Sequence, residues 1–321
     1  MKKTSKKWLV FATALTVVGA MICAAVMGVL HGDFRQLSTV VYQTNEQTVA
    51  EPYTNIAVVT DTADVIFVPT EDDTTLVTCY EQKQMPYAIA VVDGTLTITH
   101  TDKRRWYEHI GIDFERESIT VALPKGEYGT LSVAFGTGAV TVPTGLSFAE
   151  MSIAGSTGHV TVGASVSGNA NVRTSTGDIR VEKAVLGSLD VAVSTGKVTL
   201  GEVTCQETLT VAVSTGDTAM NAVRSRHILS DGSTGKIVLR DVIVAKTLFI
   251  ERSTGDVNLE RCDAEELTIR TDTGDVNGSL LTDKVCLVTS DTGRVDVPRS
   301  TSGGKCEITT DTGDVRLVIE P

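Results

Sequence analysis

Ten Thr-Gly dipeptides recur at a regular spacing between residues 137 and 313 of this chain, and their successive glycines are 19 or 20 residues apart. The repeated glycines are Gly138, Gly158, Gly177, Gly196, Gly216, Gly235, Gly255, Gly274, Gly293 and Gly313. A repeat of this length that continues over many units is typical of a solenoid, in which each unit forms one coil and packs against its neighbours. The repeat also disfavours an enzyme, because catalytic groups rarely recur with the period of a scaffold.

When the coils are aligned on their glycines, apolar residues fall in four rows that flank the Thr-Gly pair. In the coil around Gly196 these rows are represented by Leu189, Val191, Val198 and Leu200. Apolar and polar residues alternate on both sides of the glycine, which is the period of a β-strand. Glycine can adopt the positive φ that a tight corner requires. The pattern predicts a strand, a corner and a second strand in every coil.

The fold class that we predict is therefore all-β, a right-handed parallel β-helix or solenoid over residues 131–321 with coils of 19–20 residues. Seven residues after the glycine, a weaker apolar position indicates a third, narrower face. It is occupied by Ala184, Val203, Val223, Val242, Cys262 and Leu281. Residues 54–130 are predicted to form degenerate N-terminal coils or a cap, because Ile56, Val58, Val65 and Phe67 repeat the coil pattern with Ala63 in place of glycine.

The N-terminus predicts a membrane anchor. Residues 1–7 contain four lysines and form a basic cytoplasmic tail, and residues 8–30 form an uncharged transmembrane helix. Residues 31–53 are interpreted as a linker. The predicted location is a cell membrane, crossed once, with the β domain outside the cytoplasm. A cleaved signal peptide is the alternative interpretation.

Charge and cysteine content limit the partners. The net charge is −12, and all 40 acidic residues follow the apolar segment, which disfavours nucleic acid as a partner. Five cysteines lie outside the predicted anchor, an odd number without a Cys-x-x-Cys motif, which is not the framework of a disulfide-rich secreted fold. Cys286 and Cys306 occupy the same row of adjacent coils, where they are either small buried side chains or a disulfide.

The strand of residues 119–126, Ile-Thr-Val-Ala-Leu-Pro-Lys-Gly, is followed by serial Ser-Thr-Gly-Asp and Asp-Thr-Gly-Asp-Val corners. In this combination the chain resembles the bacterial β-strand-repeat proteins that are labelled putative adhesins of unknown function. The resemblance covers residues 50–321. It implies a membrane-anchored extracytoplasmic β-helix, and it supplies no catalytic residue.

Two sets of side chains are candidates for binding. Asp272, Asp291 and Asp311 lie two residues before the last three glycines, where they either bind Ca²⁺ or cap the turns. The residue after each glycine mostly alternates in charge from coil to coil, which indicates a structural corner. The segment Lys103–His109, with Trp106 and Tyr107, is either a contact surface for a partner or a cap over the first coils.

No residue is assigned a catalytic, cofactor-binding or metal-binding role, because the histidines lack metal-ligand spacing and no nucleophile or phosphate-loop motif is present. The favoured function is a non-enzymatic envelope surface protein, an adhesin or interaction scaffold. The alternatives are an accessory or sensor subunit of an envelope-stress membrane complex and, more weakly, a carbohydrate-active β-helix enzyme. Expected partners are the membrane, an envelope protein or glycan, and a second copy at an open solenoid end after Leu317.

Overall fold

The computed structural model describes residues 3–31, 40–100 and 115–320. The one helix among these residues, α1, spans Lys3–Leu30. Within α1, Phe11–Val29 has a mean hydropathy of 2.1 and is long and apolar enough to cross a membrane. A signal sequence would have the same properties, so the orientation and retention of this helix stay predictions.

The remaining described residues are almost entirely β-strand. Before the regular repeats lie β1 (Tyr42–Val49), β2 (Asn55–Thr60), β3 (Asp64–Thr70), β4 (Thr75–Gln82), β5 (Tyr87–Val92), β6 (Thr95–His100) and β7 (Ser118–Pro124). The first repeats comprise β8 (Glu127–Thr137), β9 (Val140–Val142), β10 (Ser147–Thr157), β11 (Val160–Val162), β12 (Ser165–Thr176), β13 (Ile179–Glu182), β14 (Val185–Thr195), β15 (Val198–Gly201), β16 (Thr204–Thr215) and β17 (Thr218–Asn221). The chain continues with β18 (Arg224–Thr234), β19 (Ile237–Arg240), β20 (Ile243–Thr254), β21 (Val257–Thr273), β22 (Val276–Leu280), β23 (Lys284–Thr292), β24 (Val295–Asp296), β25 (Gly304–Thr312) and β26 (Val315–Ile319).

Each regular coil consists of a long strand, the Thr-Gly corner and a short strand. Long strands pair in parallel with the long strands of neighbouring coils, as β12 does with β10 and β14. Short strands form a second parallel sheet, in which β13 lies between β11 and β15. The register places Thr195 opposite Thr176 and Thr215, so the corners are stacked. This arrangement confirms the predicted β-solenoid.

The four predicted apolar rows form the core. In the coil around Gly196, Leu189, Val191, Val198 and Leu200 are all buried. One continuous hydrophobic cluster extends from Val49 to Leu317. Residues of the same row lie over one another in successive coils along the rod axis. Burial of these apolar side chains is the main source of stability.

A second corner follows the short strand, and the sequence did not reveal it. Its residue adopts a left-handed conformation with φ between 48° and 55° in five successive coils. These residues are Lys183, Glu202, Ala222, Asp241 and Arg261. The corner turns the next residue inward, so the predicted narrow third face is confirmed at Ala184, Val203, Val223, Val242 and Cys262, which are buried. At the sixth position Leu281 is half-buried.

The N-terminal end is closed by antiparallel strands. This corrects the prediction that residues 31–53 form a linker. The segment interpreted as a linker contains β1, which pairs with β4, and β4 pairs with β7; β5 pairs with β6. The coil of β2 and β3 lies inside this cap, between β6 and β8 in one sheet and between β7 and β9 in the other. The polar sequence of β1 hid the strand, because its stability comes from backbone pairing at a sheet edge rather than from an apolar row.

The C-terminal coils are not stacked in chain order. The last coil, β25 and β26, inserts between the coil of β21 and β22 and the coil of β23 and β24. The open end is therefore formed by β23 and β24, and the prediction that it follows Leu317 is wrong. Insertion buries Ile308 and Leu317 and leaves the smaller Val288 and Val297 at the end, which keeps more apolar surface from water.

Candidate interaction surfaces

The Thr-Gly corners are held by side-chain hydrogen bonds between coils. The backbone amide of Lys197 donates to Oδ1 of Asp178 at 2.8 Å, and that of Lys236 donates to Oδ1 of Asp217 at 2.9 Å. The same contact joins the amide of Asp314 to Asp275 at 2.8 Å. The aspartate after a corner glycine thus accepts a bond from the next coil, which explains its recurrence without a ligand.

The inserted last coil changes the charge pattern at these corners. The stacking order is Asp256, Asp275, Asp314 and Arg294, as the amide-to-carboxylate bonds show. Three like charges therefore precede the arginine, where the chain order predicted closer alternation. Like charges in adjacent strands repel each other.

The three aspartates considered for Ca²⁺ lie in the order Asp272, Asp311, Asp291 along the rod, because Thr312 is in register with both Thr273 and Thr292. All three are exposed. Across the described residues, no group of three or more His, Cys, Asp or Glu side chains is arranged to hold a metal ion. No Ca²⁺ site is therefore assigned to this row.

Charged side chains on the outer faces pair with those of neighbouring coils. Arg173 contacts Asp190 at 2.7 Å, and Lys246 contacts Glu265 at 2.6 Å. These groups are largely exposed, so each pair contributes little to stability. Each pair offsets charge locally between neighbouring coils, although the chain as a whole stays acidic.

Cys286 and Cys306 are directly opposite each other in β23 and β25, as the sequence predicted, and both thiols are free. Burial, and then the neighbouring Cys286, raises the pKa of Cys306 to about 12. Cys286 is only half-buried because no coil covers it among the described residues. The pair fits the interpretation as small apolar ladder residues.

A buried arginine lies inside the rod, and the sequence analysis missed it. Arg252 is 1% exposed and donates to the carbonyl oxygen of Val213 at 3.0 Å and to Oγ1 of Thr218 at 3.5 Å. Its guanidinium lies against Gly232, where a Cβ would overlap it. Burial lowers the pKa of Arg252, and the charges of nearby aspartates oppose that shift. The sequence does carry a sign of this buried polar group. Thr218 and Ser230, which lie in successive coils, are polar residues in rows that are otherwise apolar.

At the N-terminal end, carboxylates are buried in the cap. Oε2 of Glu117 accepts bonds from Thr62 at 3.1 Å and from the Tyr87 hydroxyl at 3.2 Å. Oε2 of Glu81 accepts the amide of Tyr87 at 2.6 Å. These carboxylates tie strands together, and their burial within a bonded network indicates a structural role.

An open cleft of about 450 Å³ lies beside this network. Its lining includes Tyr42, Asp64, Glu117, Gly138 and His159. The predicted contact segment Lys103–His109, with Trp106 and Tyr107, lies outside the described residues. Whether that segment is a cap or a contact surface therefore stays a prediction.

The C-terminal end exposes ladder residues that are buried in every regular coil. Val295 is 46% exposed, although Val198 in the equivalent position is fully buried. Cys286, Val288 and Val297 are only partly buried. Next to them, Leu287 points outward and is 57% exposed. Apolar core and strand edge thus reach solvent together at this end.

Comparison with known proteins identifies a family. The sequence model of the Toastrack DUF4097 family matches residues 53–221 and 198–321. A search of curated proteins finds no match. Among solved structures, a putative adhesin from Bacteroides fragilis is 11% identical, with a TM-score of 0.42, and the match covers 86% of this chain and 97% of that one. A putative lipid binding protein from Parabacteroides distasonis is 16% identical, with a TM-score of 0.41 and coverage of 86% and 97%. A putative adhesin from Parabacteroides merdae is 12% identical, with a TM-score of 0.41 and coverage of 86% and 96%.

Proposed function

The chain belongs to the Toastrack DUF4097 family, and we propose that it is a non-enzymatic surface protein that carries a β-rod outside the cell membrane as an adhesin or interaction scaffold. One observation carries this proposal. The chain passes from the apolar helix α1 into β1, which lies at one end of the rod, whereas the open coil of β23 and β24 lies at the other. A retained helix would hold the first end near the membrane and leave the second free to meet a partner.

The repeated surface supports a scaffold rather than a catalyst. The recurring corner aspartates accept backbone bonds from the next coil, and the charged side chains of the faces pair between coils. Catalysis needs groups with altered environments that converge on one substrate. The buried glutamates of the cap bond to their own strands instead.

The membrane topology can be tested by labelling. Ser5→Cys places a thiol in the basic tail, and Thr195→Cys places one at an exposed corner of the rod. We expect a membrane-impermeant maleimide to label Thr195→Cys on intact cells and to label Ser5→Cys only after permeabilisation. The unmodified chain measures the background from its own cysteines.

Two results would contradict the anchor. One is labelling of Ser5→Cys on intact cells, and the other is release of a shortened chain that lacks α1. An accessory role in an envelope complex makes a different prediction: affinity purification from membranes would recover a constant membrane partner with the full chain and lose it when residues 1–30 are deleted. Attachment of cells to purified envelope material, compared with and without the chain, tests the adhesin role itself.

A further inference from the structure

The coil of β23 and β24 ends the rod with an unfinished β-ladder. Strand β23 pairs only with β25, and β24 pairs only with β26, within the described part of the chain. The other edge of both strands presents backbone N–H and C=O groups together with the exposed Val295. Such an edge pairs readily with another strand.

We propose that this edge binds the same edge of a second copy of the chain, so that two rods join end to end through antiparallel pairing of β23 with β23. The N-terminal end differs from it, because its two sheets end in different strands: β5, whose inner residues Ile89 and Val91 are partly buried, and the polar β1. Two identical open ends instead satisfy each other about a two-fold axis, and the assembly closes as a dimer rather than a fibre.

The side chains of β23 specify a register for this pairing. The cores of the two rods are continuous only if opposite residues point to the same side of the sheet. Antiparallel pairing centred on Leu287 meets this condition. It places Leu287 opposite its own copy on the outer face, and it places Cys286 opposite Val288 of the second copy on the inner face. All three side chains are apolar and incompletely buried in the single chain, so pairing in this register removes apolar surface from water.

The proposal concerns the rod itself and holds whether or not α1 is retained. Its failure is therefore distinct from failure of the proposed membrane topology.

A cysteine at the two-fold axis provides the test of register. Opposite residues of antiparallel strands have Cα atoms about 4.5–5.5 Å apart, which is within the range of a disulfide. We expect full-length Leu287→Cys, purified in detergent and mildly oxidised, to form a covalent dimer. Leu229→Cys is the matched control, because Leu229 is also an outward leucine, 41% exposed, but lies in the middle of the rod. Both variants are made with Cys23→Ser, which removes the anchor thiol.

The mass of the unmodified chain provides the second test. We expect a concentration-dependent dimer by light scattering in detergent, at least tenfold weaker self-association for Leu287→Lys, and no change for Leu229→Lys. Lysine at position 287 is compatible with the fold, because its neighbour in β25 is Glu307, but it places two like charges opposite each other in the dimer. A monomeric unmodified chain at all concentrations overturns the proposal. Equal crosslinking at positions 287 and 229, or equal effects of the two lysines, overturns it as well.

Discussion

Gly196 and Glu202 occupy the two corners of one coil. The first corner has no room for a side chain, whereas the second accommodates one. Gly196 has a φ of 150°, and a Cβ there would overlap the carbonyl oxygen of Gly177 in the neighbouring coil. Glu202 has a φ of 53°, the left-handed conformation, and its side chain is exposed. The first corner excludes a Cβ sterically, whereas the second only imposes a small conformational cost.

Substitution at the two corners should therefore differ in effect. We expect Gly196→Ala to destabilise the rod by on the order of 3 kcal/mol, from backbone strain and the clash between coils. We expect Glu202→Gly to change stability by less than about 1 kcal/mol, because relief of the left-handed conformation offsets the greater freedom of the unfolded chain. Urea unfolding measures both. A Gly196→Ala rod as stable as the unmodified one would show that the coils can separate to admit the methyl group.

Some of the individual residues of the rod could be predicted from the sequence, and others could not. The inward valines and the corner glycines were predictable, because each is determined by its own strand or turn. Arg252 was not, because its acceptor is the carbonyl of Val213, two coils away and 39 residues distant. The left-handed corners at Lys183 and Glu202 were also missed, because nothing in their residue types distinguishes them from surface positions.

At the scale of elements, the most specific feature of the structure is the order of the last coils, in which β25 lies between β21 and β23. Thr268 in β21 is in register with Glu307 in β25, and Leu287 in β23 lies one strand further away. Neighbouring strands are about 4.8 Å apart and next-nearest strands about 9.6 Å apart. Only the first separation allows a disulfide.

Paired cysteines test this order directly. We expect Thr268→Cys with Glu307→Cys to form an intrachain disulfide under mild oxidation, and Thr268→Cys with Leu287→Cys to form no disulfide between these two residues of one chain. Mass spectrometry of proteolytic fragments identifies the linked residues. The reverse result would restore stacking in chain order and place the last coil at the open end.

Element order could not be derived from the repeat, because all coils present the same rows and corners to their neighbours. Any two coils can pair in the Thr-Gly register, so the repeat predicts how coils stack but not which coils are adjacent. Small differences in the size of the inward side chains determine the order of the coils. The inserted coil has Ile308 and Leu317 where the terminal coil has the smaller Val288 and Val297. The antiparallel cap was not predicted for a related reason: the sequences of β1 and β5 do not follow the period of the coils.

At the scale of the whole molecule, the two ends of the rod differ in structure. Thirteen strands lie side by side in the sheet of long strands, from β5 to β23, so the rod is roughly 60 Å long at about 4.8 Å per strand. The chain enters from α1 at the end that contains β1, and the open edge lies at the opposite end. Pairing of two open edges therefore places the two β1 strands at the far ends of a double rod of roughly 120 Å.

If α1 remains in the membrane, this geometry joins one membrane to another. We expect vesicles that carry the full-length chain to cluster, as measured by turbidity and dynamic light scattering, because each double rod holds its two anchors apart. Leu287→Lys should abolish the clustering, and Leu229→Lys should leave it unchanged. Vesicles that stay dispersed, although Leu287→Cys crosslinks in detergent, would show that the double rod lies along a single membrane.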